Sequence, residues 1–166
     1  MSQGGVRLGK RVLAGTILAM TLPLAMPRLG AQDAELSKIR SIAGAQHEIV
    51  MILINKKDFA KAAEEANKIF QMKWPADQEP VLLEELLRFS DQFRHHAQPA
   101  LALRLLDTHM SFFKTHKSKV AIWKDKGYLL ESMGEHDKAV ECFKEAIRLE
   151  EKPPAKEPPV KKTPIR

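Results

Sequence analysis

The sequence predicts an all-α protein of about three helical hairpins stacked side by side. Three observations carry this. Alternating β-branched runs are absent, and beyond residue 31 glycine occurs only at Gly44, Gly127 and Gly134. Apolar residues instead recur at three- and four-residue steps, the period of one helix face. Helix-starting prolines and capping residues then divide the periodic stretch into six segments joined by short connections.

The first 31 residues stand apart. Arg7, Lys10 and Arg11 are followed by VLAGTILAMTLPLAMP, uncharged from Val12 to Pro27. That run is shorter than the roughly 20 residues needed to cross a bilayer, and Pro23 interrupts it. A charged start, an apolar run and a small-residue exit describe an export signal, with cleavage expected after Ala31. Retention of this segment as a membrane anchor is the alternative.

The first helix is expected from about Ala34 to Ile54, with Ile39, Ile42, Ile49, Ile52 and Leu53 among its apolar positions. Asn55-Lys56-Lys57 is a polar turn, and Asp58 can cap the second helix by accepting from free backbone N–H groups. That helix carries Ala62, Ala63, Ala66, Ile69 and Phe70 and ends before Trp74-Pro75. Asp77 and Pro80 start the third, VLLEELLRFSDQF, because proline suits a first helical turn. Pro99 opens the fourth, whose many apolar residues predict burial on more than one side. Ser118 is placed to cap the fifth, and Gly134 supplies the left-handed residue that ends it. The sixth begins in GEHDKAVECFKEAIRLE and passes into EKPPAKEPPVKKTPIR, a proline- and lysine-rich tail that cannot continue a helix. The expected domains are an export signal over 1–31, a helical domain over 32–151 and a disordered tail over 152–166.

The formal charge is +6, but it sits at the ends. Residues 32–151 hold 18 basic and 20 acidic groups, a net of −2. A nucleic-acid footprint needs a basic stripe on the folded surface, so that class is disfavoured. Cys142 is the only cysteine, which excludes an internal disulfide, and its place beside the apolar face predicts a buried structural thiol. His95 and His96 point about 100° apart on a helix and cannot share a face. His109 and His116 offer two ligands without a third, so no metal site is expected and the histidines read as surface groups. Haem-attachment, phosphate-loop and nucleophile-elbow motifs are missing. Neither a cofactor nor an enzymatic activity is expected.

The segment Val120 to Pro153 resembles a tetratricopeptide repeat, a 34-residue helix–turn–helix unit. Trp123 and Gly127 match the family pattern, Lys126 replaces its leucine, and Leu130 stands for its tyrosine. Ala139 and Phe143 fall at the proper distances, Ala146 takes the further small position, and Pro153 comes about two residues late. The expected packing set is therefore Trp123, Gly127, Leu130, Ala139, Phe143 and Ala146. Small residues let helix axes approach while Trp123 and Phe143 fill the space between them. Phe143→Ala is then expected to leave a cavity costing about 3–5 kcal/mol. Ala62, Ala102 and Ala139 are candidates for one place in three successive units, so the fold class becomes a short tetratricopeptide-like α-solenoid. An irregular six-helix bundle is the alternative.

The resemblance implies a concave groove, lined by the first helix of each unit, that holds a peptide or a partner helix. Carried over by position, the groove residues are Ala121, Lys124, Tyr128 and Glu131, with Phe89 and Gln92 from the second unit. A second surface is the last helix, where Val140 and Ile147 are expected to be exposed or covered by another subunit, giving a homodimer. The expected protein is an exported bacterial module, periplasmic or secreted, that binds a protein or peptide. It would touch membrane only through a retained N-terminus or the basic tail. The second expectation is a membrane-anchored subunit of a larger envelope complex.

Overall fold

The computed structural model describes residues 29–151, apart from the side chains of Leu29, Ala31 and Gln32. The expected export signal before Leu29 and the tail after Glu151 lie outside the described residues. Six helices follow one another: α1 Leu29–Asn55, α2 Phe59–Phe70, α3 Glu79–His95, α4 Pro99–His109, α5 His116–Ser132 and α6 His136–Glu151. Single 3-10 turns, Ala76–Gln78 and Met110–Phe112, precede α3 and follow α4. Among the described residues there are no strands. None of their helices is long and apolar enough to cross a membrane.

Local chemistry sets the boundaries. The Asp58 carboxylate accepts from the Lys61 amide at 3.4 Å at the start of α2. Pro80 and Pro99 sit in the first turns of α3 and α4, where a missing N–H costs no hydrogen bond. Two expectations are corrected. The first helix begins at Leu29 rather than near Ala34. The cap of α5 is Thr115, whose Oγ1 accepts from the Ser118 amide at 3.3 Å, so the helix starts at His116, two residues before Ser118. Ser118 is buried and its hydroxyl bonds Thr115 at 2.8 Å.

The helices pair as α1–α2, α3–α4 and α5–α6, and the three hairpins turn in the same way. Lys57, Ala97 and Gly134 all have left-handed backbone, with φ of 62°, 57° and 76°. Each donates its amide to the carbonyl three residues back: Ile54, Arg94 and Glu131, at 2.9, 3.0 and 2.9 Å. The following amides, of Asp58, Gln98 and Glu135, reach five residues back to Leu53, Phe93 and Leu130, at 2.9, 2.8 and 2.9 Å. This is the paired bonding that closes a helix on a left-handed residue. Five residues beyond each turn lie Ala62, Ala102 and Ala139, all buried. The array is thus a repeat at the level of backbone hydrogen bonds: three tetratricopeptide-like hairpins stacked as a short solenoid.

The stack places α4 centrally, against α2, α3 and α5, which accounts for its apolar residues on several sides. One large core runs through the first two hairpins and reaches Ile122 and Leu129 of α5. A smaller cluster, Leu130, Ala139 and Cys142, lies between α5 and α6, with Leu103, Trp123 and Phe143 packed on it. Burial raises the Cys142 thiol pKa, which keeps it protonated and unreactive.

Candidate functional site

Polar links fix how successive hairpins sit. His47 of α1 stacks on Phe89 of α3, ring centroids 5.3 Å apart, and its Nδ1 pairs with Glu85. Ser90 donates to Asp125 of α5 at 2.5 Å, and Lys126 pairs with Asp107 at 2.6 Å. Burial raises the Asp125 carboxyl pKa against the lowering effect of the Ser90 bond. Glu79 is a tighter latch. It is buried at the start of α3, and its carboxylate accepts from the Lys114 and Thr115 amides at 3.0 and 2.9 Å and from Thr115 Oγ1 at 2.6 Å. Burial alone would raise its pKa, but these donors, with Ser118, outweigh it and pull the carboxyl down to about 2.

Beside the His47 bridge, α1 and α3 enclose a cavity of about 470 Å³. Its walls are apolar: Ala43 and Gly44 from α1, Ile69 from the end of α2, Trp74 from the following loop, and Val81 and Leu82 from α3. Trp74 is held by its indole N–H, which donates to the Ile69 carbonyl at 2.7 Å. Charged groups surround this lining: Arg40 and Glu48 on α1, Glu85 and Arg88 on α3. Arg40 Nη2 donates to Gln78 at 2.7 Å, and Arg88 Nη2 to Glu84 at 2.9 Å. Gly44 matters here because a Cβ built on it would meet nothing within 4 Å. The helix has open space where a side chain would otherwise stand. An apolar hollow with a few convergent polar groups is the usual form of a binding site.

The residues expected to line a groove in the third hairpin have a different setting. Lys124 pairs with Glu150 of α6 at 2.7 Å. Tyr128 is 54% exposed, and its ring meets the Phe143 ring edge-on at 5.2 Å. Ala121 is half-buried and Glu131 exposed on the same helix. In the second hairpin Phe89 is fully buried, which corrects its expected place in an open groove, and Gln92 is half-buried. The turn register explains the error: Phe89 and Gln92 lie eight and five residues before Ala97, where Lys126 and Leu129 lie before Gly134. Those positions face the preceding hairpin.

Among the packing residues, Gly127, Leu130, Ala139 and Ala146 are buried, whereas Trp123 and Phe143 are half-buried. A Cβ on Gly127 would fall 2.6 Å from Phe143 Cε1, so only glycine admits that ring. Lys126 Nζ lies 4.3 Å from the Trp123 ring centroid, a cation–π distance. Among the histidines, His109 departs from the expected surface role. It is buried, with its ring 4.5 Å from Phe70 and its Nε2 2.7 Å from Asn67 Oδ1, and burial lowers its pKa. No group of three or more metal-binding side chains exists among the described residues.

The family model for the tetratricopeptide repeat matches residues 120–153, the third hairpin. No curated protein and no solved structure matches the chain. Tetratricopeptide repeats generally mediate contacts between proteins and are typically not enzymes.

The cavity lies between the first and second hairpins, away from the matched repeat. Gly44, a helix-interior glycine with no turn to make, was the one sequence signal for it. Arg40, Glu48, Trp74 and Arg88 carried none, because they converge only through the stacking of α1 on α3.

Proposed function

We propose that the chain is a non-enzymatic binding module that takes a short peptide or partner helix in the hollow between α1 and α3. The open space at Gly44, walled by Trp74, Ile69 and Leu82, carries this reading. The chemistry of the site suits one bulky apolar side chain as the anchor. Arg40 and Arg88 on its two sides favour acidic residues flanking that anchor, and Glu48 disfavours a segment that is acidic throughout.

The probe is a displayed library of random peptides, selected on the full chain. Peptides with an aromatic or leucine anchor beside Asp or Glu are expected, and Gly44→Phe should abolish their binding while leaving the helix content intact. Peptides held equally by wild type and Gly44→Phe would refute this site. Substituting Lys124→Glu and Tyr128→Ala together tests the third hairpin as the site instead.

The N-terminal pattern of a charged start, an apolar run and Ala31 supports export to a bacterial periplasm or beyond. A membrane-anchored subunit of an envelope complex is the second reading, since the same apolar run can be retained. Mass spectrometry of the native N-terminus separates them: only the first predicts loss of residues 1–31.

A further inference from the structure

The turn register exposes a relation between the two ends of the array. Ile42, Ile49 and Ile52 of α1 lie 15, 8 and 5 residues before Lys57, and they are 47%, 44% and 52% exposed. Ala45, between them on the same side, is exposed as well. The same offsets fall on Leu82, Phe89 and Gln92 before Ala97 and on Lys119, Lys126 and Leu129 before Gly134; Leu82, Phe89 and Leu129 are buried and the three polar residues half-buried. The offset of Ala45 falls on Ile122 in α5, which is also buried. Inside the array this leading face is covered by the preceding hairpin.

The converse holds at the other end. Val140 and Ile147 of α6 lie 6 and 13 residues after Gly134 and are 49% and 53% exposed. Their counterparts after Lys57 are Ala63 and Phe70, both buried. After Ala97 they are Leu103 and Met110, both half-buried, and Leu103 packs on the cluster of the third hairpin. This trailing face is the one that covers the next hairpin.

We infer that the protein associates with a second copy of itself head to tail, the α6 trailing face of one copy on the α1 leading face of the next. The contact continues the interface that already joins hairpins within the chain. Lys144 holds the place of Asp107, which pairs with Lys126 in the internal junction. By the same register Ile49 holds the place of Lys126, so the docked pair sets the aliphatic stem of Lys144 against an apolar side chain and does not repeat that ion pair. Because the two faces differ, the contact does not close into a symmetric dimer, and copies add in series. The apolar strip from Ile42 to Ile52 is only about 15 Å long at 1.5 Å per residue. That is short for a stable interface of about 800 Å² per partner, so assembly depends on concentration.

Sedimentation velocity on the full chain tests this, with Ile49→Glu and Ile147→Glu made separately and checked for helix content. Wild type should grow in mass with concentration, and each variant alone should stay monomeric. Mixed one to one, the variants keep one intact face of each kind, so they should form a dimer and stop there. Self-association by Ile147→Glu but not Ile49→Glu would overturn the proposal in favour of an α1–α1 contact. Association that survives both substitutions in one chain would overturn it in favour of the N-terminal segment. A monomeric wild type at all concentrations would overturn it outright.

Discussion

Gly127→Ala tests the packing of the matched repeat through two opposing effects. In a helix interior alanine is favoured over glycine by about 0.8–1.0 kcal/mol, so the backbone gains. The new Cβ, however, would lie 2.6, 2.7 and 2.9 Å from three atoms of the Phe143 ring. The ring cannot simply slide aside, because Tyr128 meets its edge at 5.2 Å. Overpacking of this kind costs about 1–3 kcal/mol, which leaves a net loss of about 1 kcal/mol. For a domain of this size that lowers Tm by about 3–5 °C. The assay is thermal unfolding by circular dichroism on a double-mutant cycle with Phe143→Ala. Phe143 is half-buried, so its own truncation should cost about 2 kcal/mol, below the 3–5 kcal/mol of a fully buried ring. In that background Gly127→Ala should become stabilising by about 1 kcal/mol. Gly127→Ala raising Tm in the wild-type protein would refute the reasoning, as would an equal loss in both backgrounds.

Three further predictions rest on other elements. Glu79 has its pKa pulled from 4.5 to about 2, a difference of about 3 kcal/mol in stability. That stability is present above pH 4.5 and lost as pH falls toward 2, and urea unfolding of Glu79→Gln should show a much flatter profile over this window. Ala97 has φ of 57° without being glycine, so Ala97→Gly should stabilise by about 1 kcal/mol, read as a rise in the urea midpoint at unchanged slope. His109 has a pKa lowered from 6.5 by burial, so the folded state resists its protonation. Stability should therefore decline as pH falls below 6.5, and NMR titration of its ring protons should find a midpoint below that of an exposed histidine.

The hairpins were legible because their signals are local. Pro80, Pro99, Asp58 and Gly134 act within one turn of helix, and the apolar period needs only neighbouring residues. The equivalence of the three turns was half-legible. Ala62, Ala102 and Ala139 mark it, but Lys57 and Ala97 take the left-handed conformation without being glycine, and nothing local requires that of them. Thr115 and Ser118 are both hydroxyl residues near a helix start, and Glu79, 36 residues before Thr115, fixes which one caps. The hollow at Gly44 depends on how far α1 stands from α3, a distance set by His47 reaching Phe89 and Glu85. Such a site is written across two hairpins, and the strongest sequence match lay in the third.

The division of the apolar interior into two clusters has its own consequence. Helix α6 is held by Ala139, Cys142 and Ala146, its only fully buried residues, all small, while Ile122 and Leu129 tie α5 to the large core. The boundary between the two clusters therefore runs along α5 itself. Departure of the last helix would uncover little of the main core. Local opening of this kind has a free energy well below that of global unfolding. In the hairpin that best matches the repeat family, the first helix thus belongs to the main core and the last helix does not.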